Sequence, residues 1–225
     1  MSLSGESFKT FGTISYYSHQ MSVSMTKSSA AKMGRPRCFC EETALEAAMR
    51  LFWERGYEGA SLSDLTEAMA MNRGSLYATF GDKETLFLRA LARYEDGPAS
   101  FWRIALKEPT AADVIKSLFT GSVNLLGDPR NPRGDLITQG ALATGVGAAP
   151  VKQALIDRRK SGEAELLKRF KRAKAEGDLP QTVNVHDLAG YVCTILYGLR
   201  VLAANGDGKA ELKRVTDMAL KMLPL

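Results

Sequence analysis

The chain has 225 residues, 45% of them hydrophobic and 24% charged, the proportions of a globular protein with ample material for a core. Three cysteines, Cys38, Cys40 and Cys193, are too few for a disulfide framework, which excludes a stapled secreted scaffold and points to a reducing cytoplasm. The net charge of +5 leans toward an anionic partner but is badly placed to argue for DNA by itself: residues 33–94 hold eight Lys/Arg against nine Asp/Glu, and residues 152–174 hold nine against three.

Residues 1–32 are rich in Ser, Thr and Met and show neither a sustained period nor the apolar centre of a signal peptide, so they read as a disordered extension, with Met33 as an alternative start. Gly34, Arg35, Pro36 and Arg37 form a short basic arm that proline stiffens, a type that lies along phosphates or in a minor groove. Cys38 and Cys40 come just before the first helix, where a thiol loses its proton more easily. Two residues at i and i+2 of an extended segment point apart, and His19 and His186 are distant, so neither a disulfide nor a metal site is expected.

Helical periods then follow one another to the end of the chain. Leu45, Ala48 and Phe52 share a face, and Gly56 is expected to end that helix. Ser61 and Asp64 form a capping-box pattern ahead of Leu62, Leu65 and Met69. Asn72 can cap a helix holding Leu76 and Phe80, and after Gly81 and Asp82 a fourth helix carries Phe87, Ala90, Leu91 and Tyr94. Gly97 and Pro98 close this unit. A short segment at Phe101 and Trp102 precedes helices expected at about 111–126, 135–144, 151–176, 185–204 and 209–223, with Gly145, Gly147 and Pro150 as breakers. The apolar stretch from Leu188 to Ala204 is shorter than a membrane span and contains Arg200, so it reads as a core helix. The basic run 152–174 interleaves acids and bases at i, i+4 and reads as a solvated face. No segment alternates like a strand, and the predicted fold class is all-α.

Three short helices joined by two close turns are the minimum helix-turn-helix unit. One helix crosses the DNA backbone and the next presents its N-terminal residues to the major groove. Here the presenting helix begins Asn72, Arg73, Gly74, Ser75. Arg73 suits bidentate contact to guanine, Gly74 allows close approach, and Ser75 is a short hydrogen bonder. Ser61, Tyr77 and Thr79 can donate to phosphates, and Lys83 adds a charged contact beside the exposed amides of the fourth helix.

The run from Gly56 to Leu65 (Gly-Tyr-Glu-Gly-Ala-Ser-Leu-Ser-Asp-Leu), followed by Met-Asn-Arg-Gly-Ser-Leu-Tyr-Ala-Thr-Phe-Gly-Asp-Lys-Glu-Thr-Leu-Phe from Met71 to Phe87, resembles the TetR/AcrR family of transcriptional regulators. Ala78 and Thr79 stand where Tyr-His is common in that family, so Thr79 takes the place of the phosphate-contacting His. The resemblance covers about residues 34–95. It implies a homodimer on a palindromic operator and a C-terminal pocket for a small effector that releases the DNA.

The expected organisation is therefore a disordered extension (1–32), a helix-turn-helix domain (33–95) and a helical effector-binding and dimerisation domain (96–225). Phe101, Trp102, Phe119, Gln139, Tyr197 and Arg200 are candidates for aromatic pocket walls with polar anchors. The helix at 185–204 is apolar over most of its circumference and the last helix has a single apolar stripe. Leu188, Val192, Ile195, Leu199, Leu202, Leu212, Val215, Ala219 and Met222 are accordingly expected to pack two such helices against two from a second copy. No cofactor or metal is expected, and no set of nucleophile, base and orienting acid can be assembled into an enzyme site. A scaffolding protein that has lost DNA binding is disfavoured by the intact start of the recognition helix.

Overall fold

The computed structural model describes residues 41–223. The expected extension 1–32, Arg35, Arg37, Cys38 and Cys40 lie outside the described residues, as does the side chain of Gln139. Ten α-helices and no strand occur among the described residues: α1 (Glu41–Gly59), α2 (Leu62–Ala68), α3 (Arg73–Phe80), α4 (Lys83–Asp96), α5 (Phe101–Ala105), α6 (Ala111–Leu126), α7 (Leu136–Ala143), α8 (Ala149–Ala175), α9 (Val185–Asn205) and α10 (Lys209–Lys221).

Side-chain oxygens start most of these helices. Asn72 accepts from the amide of Ser75 at 2.8 Å, Asp82 from Thr85 at 2.7 Å, Thr110 from Asp113 at 3.0 Å and Asp135 from Thr138 at 2.6 Å. Each such cap is worth about 1 kcal/mol, which matters most for α2 and α3, too short to persist alone. Ser61 and Asp64 form the full reciprocal box, and those hydrogen bonds hold the Asp64 carboxyl below its ordinary range. Gly56, at φ 72° and ψ 175°, leaves the helical conformation where the sequence placed the end of the helix, and one further turn runs on to Gly59. One expectation changes. Pro150 does not break the chain but sits in the first turn of α8, where its missing N–H has no partner to lose.

Two hydrophobic cores result. The first is built by Ala48, Met49, Phe52, Leu65, Leu76, Phe80, Phe87 and Leu91 of α1–α4, and is completed by Leu136, Val151 and Leu155 from α7 and α8. The second joins α6, α8, α9 and α10 through Leu118, Phe119, Phe170, Val192, Leu196 and Leu212. Polar ties cross from α1 and α4 to the turn before α7. The Trp53 indole donates to the Gly134 carbonyl at 3.1 Å, and the Tyr94 hydroxyl donates to Asp135 at 2.9 Å. Those two rings meet edge to face at 4.8 Å.

The last two helices correct the expected interface. Leu188, Val192, Leu199, Leu212 and Ala219 are buried in the chain's own second core, and Ile195, Leu202 and Val215 pack against it half-buried. A helix that is apolar nearly all round does not reveal which side its own domain takes, and here α6, α8 and α10 take that side of α9. Met222 alone of the nine is largely exposed, at 66%. By length and composition α9 could cross a membrane, but eight of its 21 residues are buried in the fold.

Candidate DNA-recognition surface and core cavity

Leu76 and Phe80 fasten α3 to the first core, leaving Arg73, Gly74, Ser75, Tyr77, Ala78 and Thr79 exposed. At 100° per residue, Gly74 and Ala78 lie opposite the buried pair, and Ser75 and Tyr77 flank them. The middle of the exposed face is thus lined by the two smallest side chains on α3. A Cβ on Gly74 would touch only the Asn72 side chain, at 3.4 Å, so the fold itself does not demand glycine there. Ala78 was missed by the sequence reading, which counted Gly74 alone for clearance.

Electrostatics single out two side chains. Residues 41–94 contain six cations. Arg50 pairs with Glu46, Arg55 with Asp64, Arg89 with Glu41 and Arg93 with Glu46. Among the described residues Arg73 and Lys83 make no ion pair, although the unit as a whole is slightly acidic. Lys83 rests its ammonium 4.5 Å from the centre of the Tyr57 ring. Partial burial lowers its pKa, and Glu58 works in the opposite direction. Tyr57, a platform that no spacing in the sequence suggested, thereby fixes a lysine at the start of α4, next to the amide dipoles. Ser61 corrects its expected role: its hydroxyl donates to Asp64 at 2.6 Å and accepts from the Asp64 amide, so its hydrogen is already used in the cap.

A cavity of about 390 Å³ opens between α4, α5, α6, α8 and α9, within the ~300–1000 Å³ range of small-molecule sites. Of the residues named from the sequence, Phe101, Trp102, Tyr197 and Arg200 line it. Phe119 does not. Its ring is 1% exposed and fills the second core, because the α6 residues that reach the cavity are Ser122, Leu125 and Leu126. Glycines let the aromatic wall in: a Cβ on Gly121 would fall 2.4 Å from Phe101, and one on Gly162 would fall 3.3 Å from Trp102. Arg200 donates to the Thr138 hydroxyl at 2.9 Å and lies 3.5 Å from Asp135, the carboxylate that also receives Tyr94. Burial, and then Asp135, push the Tyr94 hydroxyl well above its ordinary pKa.

The basic run on α8 is not simply solvated. Arg158 and Arg159 line the cavity, and Arg169, 5% exposed, donates to the carbonyls of Glu108 and Pro109 at 2.9 and 2.8 Å. The i, i+4 contacts that suggested solvation are present but loose, 3.9 Å for Arg159 to Glu163 and 3.7 Å for Arg172 to Glu176.

Comparison with known proteins places the chain among bacterial regulators. The family model described as "Bacterial regulatory proteins, tetR family" matches residues 44–90, which span α1 to the middle of α4. The chain is 28% identical over 206 residues to the HTH-type transcriptional repressor ComR of Escherichia coli (strain K12), covering 91% of this chain and 98% of ComR. It is 30% identical over 194 residues to the uncharacterized HTH-type transcriptional regulator YezE of Bacillus subtilis (strain 168), covering 85% of this chain and all of YezE. Among solved structures, a cysteine mutant of the TetR family transcriptional regulator CifR, complexed with 26 bp double-strand operator DNA, superposes with a TM-score of 0.80 at 38% identity, over 85% of this chain and the whole of that one.

Proposed function

The chain belongs to the TetR family of bacterial regulatory proteins, and from that premise we propose that it is a repressor which holds a palindromic operator as a homodimer until a small effector fills the α4–α9 cavity. It is a DNA-binding transcriptional regulator and not an enzyme. The observation that carries the finer reading is the pairing pattern of residues 41–94: every cation there is neutralised except the two at the exposed end of the helix-turn-helix. Arg73 enters the major groove with Ser75, while Tyr77, Thr79 and Lys83 hold phosphates on either side. Arg35 and Arg37 are proposed as further DNA contacts on their sequence alone.

Dimerisation falls to the outer sides of α9 and α10. Tyr191 and Val201 on α9 are 39% and 45% exposed, and Met218 on α10 and Met222 at its C-cap are 58% and 66% exposed. Gly190, Thr194 and Gly198 run between them, and a Cβ at either glycine would meet nothing. An apolar strip with small residues along its middle suits close packing of α9 and α10 against the same pair of a second copy, an isologous four-helix arrangement. A mobility shift on the DNA upstream of the protein's own gene tests the reading. A salt-sensitive complex of two chains per site is expected, and no preference over random DNA would overturn it.

A further inference from the structure

Four arginines and four carboxylates line the cavity, but they are not paired evenly. Arg158 pairs with Glu95, Arg103 with Asp96 at 2.8 Å, and Arg200 with Asp135 at 3.5 Å. Arg159 has only Glu163, at 3.9 Å, one turn along the same helix and 43% exposed. Its guanidinium lies 5.5 Å from the centre of the Tyr197 ring, and that of Arg200 lies 5.4 Å from the same ring. Two cations therefore share one aromatic ring, and one of them lacks a close counter-charge. The buried indole N–H of Trp102 has no acceptor among the described residues, whereas the wall carboxylates Glu95, Asp96 and Asp135 are engaged and the fourth, Glu165, is exposed. Phe101, Trp102, Leu125 and Ile137 supply an apolar surface beside these groups.

We propose that the ligand of this cavity is a small amphipathic carboxylate, its apolar body against Phe101, Trp102, Leu125 and Ile137 and its carboxylate on the Arg159 guanidinium. The proposal rests on the reading of the cavity as the effector site. One uncompensated guanidinium matches a single negative charge, and a planar fork accepts a carboxylate through two parallel hydrogen bonds. The Trp102 N–H gains an acceptor if the acid settles against the indole. A cationic ligand would find only the exposed Glu165 unless it displaced an arginine from Glu95 or Asp96, and a neutral one would leave Arg159 as it is.

Calorimetry on the full chain, with a thermal-shift readout beside it, tests the proposal using octanoate and phenylacetate, their amides octanamide and phenylacetamide, and phenethylamine. At least one acid is expected to raise the melting temperature and to bind at least about tenfold tighter than its own amide, the scale of a charge-assisted pair over a neutral one. Arg159→Gln should abolish that preference and Arg159→Lys should keep part of it. Lys152→Gln, on the exposed side of the same helix, should change nothing. Binding of neither acid, equal binding of acid and amide, tighter binding of the amine, or a folded Arg159→Gln chain with undiminished acid preference would each overturn the assignment. Operator binding by the ligand-free chain is measured separately: its failure refutes the regulator reading, while the acid-to-amide ratio decides the ligand class.

Discussion

Arg73 and Lys83 both lack an ion pair among the described residues, yet their settings suit the different roles proposed for them. Arg73 is exposed at the first turn of α3, which fits the base contact proposed for it; Lys83 is held by Tyr57 at the start of α4, which fits the proposed phosphate contact. Arg73→Ala is expected to cost about 1–3 kcal/mol on the operator and to relax specificity at one position per half-site. Lys83→Ala should weaken all sequences alike and lower the salt slope by about one unit. Equal losses on operator and random DNA for both variants would remove Arg73 from base reading. Cys193 carries a pH prediction of its own. Burial, followed by the charge of Glu163, pushes its thiol from an ordinary 9.0 up to about 11. The folded chain thus holds this proton more tightly than the unfolded chain does. That contribution to stability is complete below about pH 9 and is lost as the pH climbs through 11. Cys193→Ala should flatten the fall in melting temperature across that window relative to the wild type, whatever it does to the absolute value. An unchanged slope would mean that the thiol has access to solvent.

Helix starts and inward faces could be read from the sequence because both are local. Ser61 with Asp64, and Asn72, announce their helices by side chains that bond the backbone three residues on, and Leu65, Leu76, Phe80 and Phe87 recur at the helical period. What a face packs against is not local. Phe119, Leu199 and Leu212 were correctly apolar and buried, yet they serve the chain's own second core rather than a pocket or a partner. Arg159 was likewise assigned to water, since an i, i+4 pattern describes neighbours on one helix and says nothing of α9 across the cavity. The distinction changes the variants that test the dimer. Leu199→Arg buries an unpaired charge inside the monomer and should unfold it. Val201→Arg, 45% exposed on the outer side of α9, should leave the fold and melting of the single chain intact but abolish the dimer, and with it high-affinity binding to a two-half-site operator. Sedimentation of a folded Val201→Arg dimer with normal operator binding would place the interface elsewhere.

The two cores of the molecule do not divide at the end of α4. Leu136, Val151 and Leu155 close the first core from α7 and α8, and the Trp53 and Tyr94 donors find their acceptors at Gly134 and Asp135. Cutting after residue 95 would uncover that apolar seam and leave two polar groups without their partners. Each such group costs about 1–3 kcal/mol if it stays buried, against the 5–15 kcal/mol that holds a typical domain. Water can rescue the hydroxyl and the indole once the seam is open, but then the apolar surface around them is exposed as well. A fragment of residues 33–95 is therefore expected to be largely unfolded at room temperature, although it contains the entire helix-turn-helix. In the proposed reading the same packing links the cavity to α4, because Asp135 lines the cavity and accepts from the Tyr94 hydroxyl. The intact chain should accordingly melt in a single transition, with helix content by circular dichroism and the fluorescence of Trp53 and Trp102 changing together. Trp53 reports the first core and Trp102 the cavity wall, so coincident curves mean that the two regions unfold as one. A fragment with a cooperative melt near that of the whole chain, or two separated transitions in the intact protein, would show that the ties across α7 and α8 are too weak to couple the cavity to α3.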